Sequence, residues 1–113
     1  MKFYVIALSV ALSVAGCGRS DAVEQQADAY EEAGENAAEV IKSEGAARSK
    51  QLEGAADALE KSATETGGFT EKRLDVRADA LRSEADIVEE QARAKADAVK
   101  ADSEAKAKTL RAQ

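Results

Sequence analysis

Small and apolar side chains recur every 11 positions along two long segments of this chain, and this spacing limits the folds that it can adopt. In the C-terminal segment the series are Leu74, Ala85, Ala96 and Ala107, and Val88, Val99 and Leu110. In the N-terminal segment they are Tyr30, Ile41, Leu52 and Ala63, and Val23, Gly34, Gly45 and Ala56. Eleven residues make three helical turns of about 3.67 residues, so each series stays on one face of a nearly straight helix.

Among all the apolar residues that follow Cys17, Ala fills most positions, and large apolar side chains are scarce. From Cys17 onwards the only aromatic residues are Tyr30 and Phe69, and the whole chain has no Pro, Trp or His. Burying an Ala gains only about 0.8 kcal/mol per carbon, which excludes an ordinary globular core. The composition leaves two classes, a long helix or coiled coil and a disordered acidic chain. The sustained 11-residue spacing favours the helices.

The pair Gly67-Gly68 marks the one clear break between two helix-forming segments. Paired Gly residues suit the end of a helix and a turn. We therefore expect helix 1 over residues 21–63, a turn over residues 64–69 and helix 2 over residues 70–113.

Capping signals accompany both expected helices. Thr70 is a candidate N-cap for helix 2. Phe69 and Leu74 flank it at the spacing of a hydrophobic staple. Asp21 and Glu24 fit the cap and N3 positions of helix 1.

The charge distribution predicts how the two helices meet. Residues 21–39 hold seven acids and no base, whereas residues 91–113 hold six bases and three acids. Folding the chain back at Gly67-Gly68 places the acidic start beside the basic end. The prediction is an all-α fold, a long antiparallel helical hairpin resembling a coiled coil, about 60 Å in length. Gly34, Gly45 and Gly54 are expected to allow close approach of the helices.

The first 16 residues differ in kind from the rest. They carry one charge, Lys2, followed by an apolar run that ends in small residues. This profile is typical of a secretory signal peptide. A membrane-spanning helix needs about 20 apolar residues, and this run is shorter.

The residues Val14-Ala15-Gly16-Cys17 resemble the lipobox of bacterial lipoproteins, in which an aliphatic residue and two small residues precede a cysteine. The resemblance implies cleavage between Gly16 and Cys17, a diacylglyceryl thioether on Cys17, and an amino group open to further acylation such as palmitoylation. Residues 17–20 would then form the lipidated tether. In diderm bacteria an Asp after the cysteine favours inner-membrane retention, so Gly18 favours the outer membrane, facing the periplasm.

No catalytic, metal or cofactor site is expected. The chain lacks His, and its only cysteine is assigned to the anchor, so the usual nucleophile–base pairs have no candidate. The adjacent carboxylates Glu31-Glu32 and Glu89-Glu90 are interpreted as solvated helix surface. Of the 16 Lys and Arg residues, 15 follow Cys17 against 22 acids, and the resulting charge of −7 disfavours nucleic acid as a partner.

Two functions remain open. The first is a non-enzymatic, lipid-anchored envelope protein that binds the membrane through acyl chains on Cys17 and uses its hairpin for self-association or for docking another envelope protein. Braun-type murein lipoprotein is similar in plan. This chain ends Leu110-Arg111-Ala112-Gln113, without the terminal Lys of that protein's wall linkage, so no covalent wall attachment is expected.

The second is a lipid-surface or stress-protective helix. The 11-residue repeats rich in Ala, Lys and Glu are similar to those of late-embryogenesis-abundant proteins and exchangeable apolipoproteins. That likeness is one of period and composition alone, and bulky apolar residues for deep insertion into lipid are few.

Overall fold

The computed structural model describes residues 19–113, which form two long helices joined by a single residue. Helix α1 spans Arg19–Thr66 and helix α2 spans Gly68–Arg111. The two helices pack antiparallel against each other, so the predicted all-α hairpin is confirmed. The hairpin measures 77 × 27 × 15 Å, longer than predicted because the helices contain 48 and 44 residues.

The turn is shorter than the sequence suggested. Gly67 and Gly68 adopt positive φ angles of 67° and 70°, which reverse the chain almost at once. The Gly67 N–H donates to the carbonyl of Ala63, and the Glu71 N–H donates to the carbonyl of Gly67. Helix α1 can therefore continue to Thr66, three residues past the expected end.

The predicted caps are corrected by these boundaries. Gly67, not Thr70, is the N-cap of α2, and no side chain caps that terminus. Phe69 is 79% exposed, so the expected staple with Leu74 is also wrong. Asp21 lies within the first turn of α1 and not at its cap. The two consecutive Gly residues form a turn so tight that α2 begins at Gly68, and Thr70 therefore lies inside the helix.

Small side chains alone fill the seam between the helices. The buried positions of α1 are Ala27, Gly34, Ala38, Gly45, Ser49, Ala56 and Ala63. Those of α2 are Ala78, Ala85, Ala92, Ala96 and Ala107. In α1 they recur at steps of seven and four residues, which sum to the 11-residue period of the sequence. The predicted period is therefore the period of the seam.

Two glycines set the distance between the helices. A Cβ added at Gly34 would overlap the side chain of Ser103, and one added at Gly45 would overlap the Cβ of Ala92. A Cβ at Gly54 would meet nothing within 4 Å. The expected close approach is thus found at Gly34 and Gly45, whereas Gly54 lies on the exposed outer side of α1.

Candidate functional site: the open end and two faces of the hairpin

The predicted anchor, Cys17, and the cleavage position after Gly16 lie outside the described residues. Helix α1 begins at Arg19, only two positions after Cys17 in the sequence. Because the helices are antiparallel, the start of α1 lies beside the end of α2. The described part of the chain therefore presents its open end next to the predicted lipidation site.

Arg111 joins the two helices at this open end. Its guanidinium donates to Glu24 at 2.9 Å, to Asp28 at 2.8 Å and to Glu31 at 2.7 Å. The three acids lie four and then three residues apart, so they line one side of α1. The hydrogen bond from Arg111 lowers the pKa of Glu31, and the same bond contributes most to raising the pKa of Arg111. The end of α2 is thereby held on the acidic start of α1, as the charge pattern predicted.

Further ion pairs follow the same side of the seam towards the turn. Arg82 bonds Glu60 at 2.5 Å and Asp57 at 3.1 Å, and Lys100 lies 3.6 Å from Glu35. The hydrogen bond from Arg82 lowers the pKa of Glu60. We call this side the ionic face, formed by Glu24, Asp28, Glu31, Glu35, Asp57, Glu60, Arg82, Lys100 and Arg111.

The opposite side of the seam is apolar. In residues 19–113 a bulky apolar residue immediately precedes a charged one in eleven places, as in Tyr30-Glu31, Leu59-Glu60 and Leu81-Arg82. All of these bulky residues except the exposed Val76 border the seam. Successive helical residues point about 100° apart, so if the charged member lies on the ionic face, its predecessor lies across the seam from it. We call the resulting surface the apolar face, formed by Val23, Tyr30, Ile41, Leu52, Leu59, Leu74, Leu81, Val88, Val99 and Leu110.

Side chains of the apolar face are only half covered by the hairpin itself. Tyr30 is 41% exposed, and the other nine are intermediate between buried and exposed. Tyr30 therefore borders the seam and is not packed inside it. The pKa of the Lys106 amine on α2 is raised, mainly by its 2.7 Å bond to Asp102. Tyr30 lies close enough to Lys106 to contribute to this increase. The apolar face thus spans both helices.

One member of each carboxylate pair in the sequence serves as an ion-pair partner, and the other is exposed. Glu31 bonds Arg111, and Glu89 bonds Arg93 one turn further along α2. Within residues 19–113 there is no group of three or more His, Cys, Asp or Glu residues placed to hold a metal ion. No helix in this described part has an apolar stretch long enough to cross a membrane.

Comparison with protein families, with curated proteins and with solved structures found no match to this chain. Its function therefore has to be argued from its own residues.

The bond between Glu31 and Arg111 predicts a specific pH dependence. Because its pKa is lowered in the folded state, Glu31 contributes stability above its unfolded pKa of about 4.3, and loses it as the pH falls through the lower folded value. We expect Glu31→Gln to destabilise the hairpin at pH 7, and the difference from wild type to be smaller at the most acidic pH at which the hairpin stays folded. Urea unfolding followed by circular dichroism at both pH values measures this.

The matched control is Glu32→Gln, one residue along and exposed, without a bond to Arg111. It should leave stability at pH 7 close to that of wild type. An equal loss for both variants would contradict a specific role of the Arg111 bond.

Proposed function

We propose that this chain is a lipid-anchored protein of the bacterial cell envelope, whose helical hairpin has a structural or protein-interaction role and no enzymatic one. The observation that carries the proposal is the sequence Val14-Ala15-Gly16-Cys17 behind a signal-like segment. The described hairpin, residues 19–113, supports it because a cut before Cys17 would leave all of these residues in the mature chain.

Anchoring through Cys17 is physically sufficient to hold such a protein at a membrane. A single acyl chain binds marginally, whereas two or three chains give stable attachment. The tether from residue 17 to the helix is short, so the open end of the hairpin would lie close to the bilayer. A rod of 77 Å attached at one end could present its long faces to other envelope components.

The interaction role rests on the apolar face. The hairpin buries small residues in the seam and leaves the ten bulky residues of the apolar face at the edge of that seam, partly exposed. Contiguous apolar surface of this kind is typical of a site that packs against other helices. Gly18 after the cysteine favours the outer membrane in a diderm host, where the rod would face the periplasm.

Labelling with a radioactive fatty acid tests the anchor directly. In a diderm host, the full chain should incorporate label and fractionate with membranes. Cys17→Ala should remove the label entirely and retain the first 16 residues, giving a larger, unlabelled product. The reason is that the thioether needs the Cys17 thiol, and the lipobox resemblance places the cut directly before this cysteine.

Gly18→Asp is the matched control beside the anchor. It keeps Cys17, so it should be labelled as strongly as wild type while moving towards the inner-membrane fraction. Absence of label from the wild-type chain, or equal label in Cys17→Ala, would refute lipid anchoring.

A further inference from the structure

The hairpin distributes its side chains in a way that an isolated pair of helices does not require. Every position buried in the seam is Ala, Gly or Ser, and no large side chain among residues 19–113 is fully buried. The ten bulky residues of the apolar face instead lie beside the seam, directed away from the ionic face. Burying apolar surface is the main stabilising contribution to helix packing, so these side chains are placed for a partner beyond the hairpin.

The direction of these side chains indicates what kind of partner fits. The seam runs between each bulky residue and the charged residue that follows it, so the bulky side chain points about 50° to one side of the neighbouring helix. In a four-helix bundle every helix has two neighbours, and its core residues point between them. The side chains of the apolar face therefore point in the direction of core residues in a four-helix bundle, of which the hairpin supplies two helices.

The register of the hairpin arranges the bulky residues in layers. Gly34 lies opposite Ser103, and Gly45 lies opposite Ala92. At this register the heights of Ile41 and Val99 along the rod differ by less than one helical turn. The heights of Leu52 and Val88 do so too. Bulky residues from α1 and α2 therefore alternate at similar heights along the face, as the layers of a bundle do.

We propose that the apolar face docks the same face of a second copy of this chain, forming a four-helix bundle with both open ends at the same end. The broad side of the hairpin measures 77 × 27 Å, and a stable interface needs about 800 Å² from each partner. A two-fold axis along the rod would make the contact self-complementary. The pairing itself does not depend on the proposed function. The placement of both open ends at the same end does rest on it, because two chains anchored at Cys17 share one membrane.

Charge agrees with this occupant. The interhelical ion pairs of Arg82, Lys100 and Arg111 lie on the ionic face and would stay outside the contact. With both open ends together, Glu44 of one copy lies at the height of Lys95 of the second copy. Bulky apolar residues for deep insertion are too few to favour a lipid surface as the occupant. Anchoring also raises the effective concentration of copies, which favours their association.

Site-specific photocrosslinking in cells tests the pairing. The full chain carries p-benzoyl-phenylalanine in place of Tyr30, a near match in shape at a partly exposed position, or in place of the exposed Asn36 on the outer side of α1. Irradiation should give an adduct of two copies from position 30 and none from position 36. Peptide mapping should place the crosslink near Leu110 or position 30 of the second copy, because the open ends coincide.

A charge on the apolar face should disrupt the pairing. Leu52→Glu, in the chain probed at position 30, would put a carboxylate into the shared core of both copies and should reduce the adduct at least about tenfold. Ala46→Glu adds the same charge on the same helix at an exposed position outside the apolar face, and should leave the yield unchanged.

Several results would overturn the proposal. Position 30 could give no two-copy adduct, or position 36 could give an equal one. The adduct from position 30 could instead contain only phospholipid or a different protein, or its crosslink could map to Leu59 and Leu81 at the turn end. Fatty-acid labelling of the same cells is read independently. Label without the two-copy adduct refutes the pairing alone, and the adduct without label refutes the anchor alone.

Discussion

Gly45→Leu should be among the most destabilising single substitutions in this hairpin. Even a Cβ at this position overlaps the Cβ of Ala92, so a Leu side chain must push the two helices apart. Overpacking a tight contact costs about 3 kcal/mol, and the seam offers no large side chain that could move aside. Leu gains close to 1 kcal/mol of helix propensity over Gly, which offsets only part of this loss. Urea unfolding followed by circular dichroism gives the net change.

Gly54→Leu is the matched control, since it makes the same replacement in the same helix. Position 54 is exposed and has no neighbour within 4 Å of an added Cβ. It should therefore stabilise the hairpin by up to about 1 kcal/mol through helix propensity alone. If both variants changed the free energy of unfolding in the same direction, the packing assigned to Gly45 would be wrong.

An exchange of side chains sharpens the same test. Gly45→Ala alone should destabilise through the overlap with Ala92. Adding Ala92→Gly removes the opposing Cβ and keeps the number of helical Gly residues at these two positions constant. The double variant should therefore recover most of the stability that Gly45→Ala loses. Two independent losses that simply add would show that positions 45 and 92 do not touch.

The difference between Gly45 and Gly54 shows where the sequence was sufficient. An 11-residue spacing placed Gly34 and Gly45 on one face, and the structure confirms that this face is the seam. Gly54 stands outside that series, and residue type alone suggested a contact that is not made. Periodicity predicted the fold because it gives the face of the helix on which a small residue lies, whereas residue type alone gives only its size.

Local capping signals misled for a physical reason. Thr70 and Phe69 resemble the start of a helix when their own neighbours are considered. The turn is decided by the conformation of Gly67 and Gly68, whose positive φ angles let α2 begin earlier. Single-sequence patterns rarely give such angles, so the helix ends were less predictable than the hairpin itself.

The candidate site was only partly visible in the sequence. The approach of Arg111 to the acidic start of α1 followed from the charge distribution, although its three partners did not. The two faces of the hairpin were missed, yet their signal is present as bulky residues each followed by a charge, as in Val99-Lys100. That signal gains meaning only when the seam is known to run between the two members of each pair.

Replacing both turn glycines with Ala should open the hairpin. Gly67, at φ 67° and ψ 172°, occupies a region of backbone space that is essentially restricted to Gly, and Gly68 also has a positive φ. Each Ala would cost about 1–3 kcal/mol in the closed turn. In one continuous helix the same Ala gains about 1 kcal/mol over Gly. The two replacements together shift the equilibrium between the closed hairpin and one continuous open helix towards the open helix by at least about 4 kcal/mol, or roughly a thousandfold.

The opened chain would pair with another opened chain along the same seam. Two antiparallel copies can restore every Ala contact of the hairpin, a domain swap that the closed turn of wild type prevents. Spin labels at positions 30 and 104, in a Cys17→Ala chain diluted with unlabelled chains, measure the distance within one chain. That distance should be short for Gly67-Gly68 and about 110 Å in the Gly67→Ala, Gly68→Ala variant, at 1.5 Å per residue. Gly54→Ala, which adds one methyl within a helix, should keep the short distance. A short distance in the turn variant would show that the seam, and not the turn, dictates the fold-back.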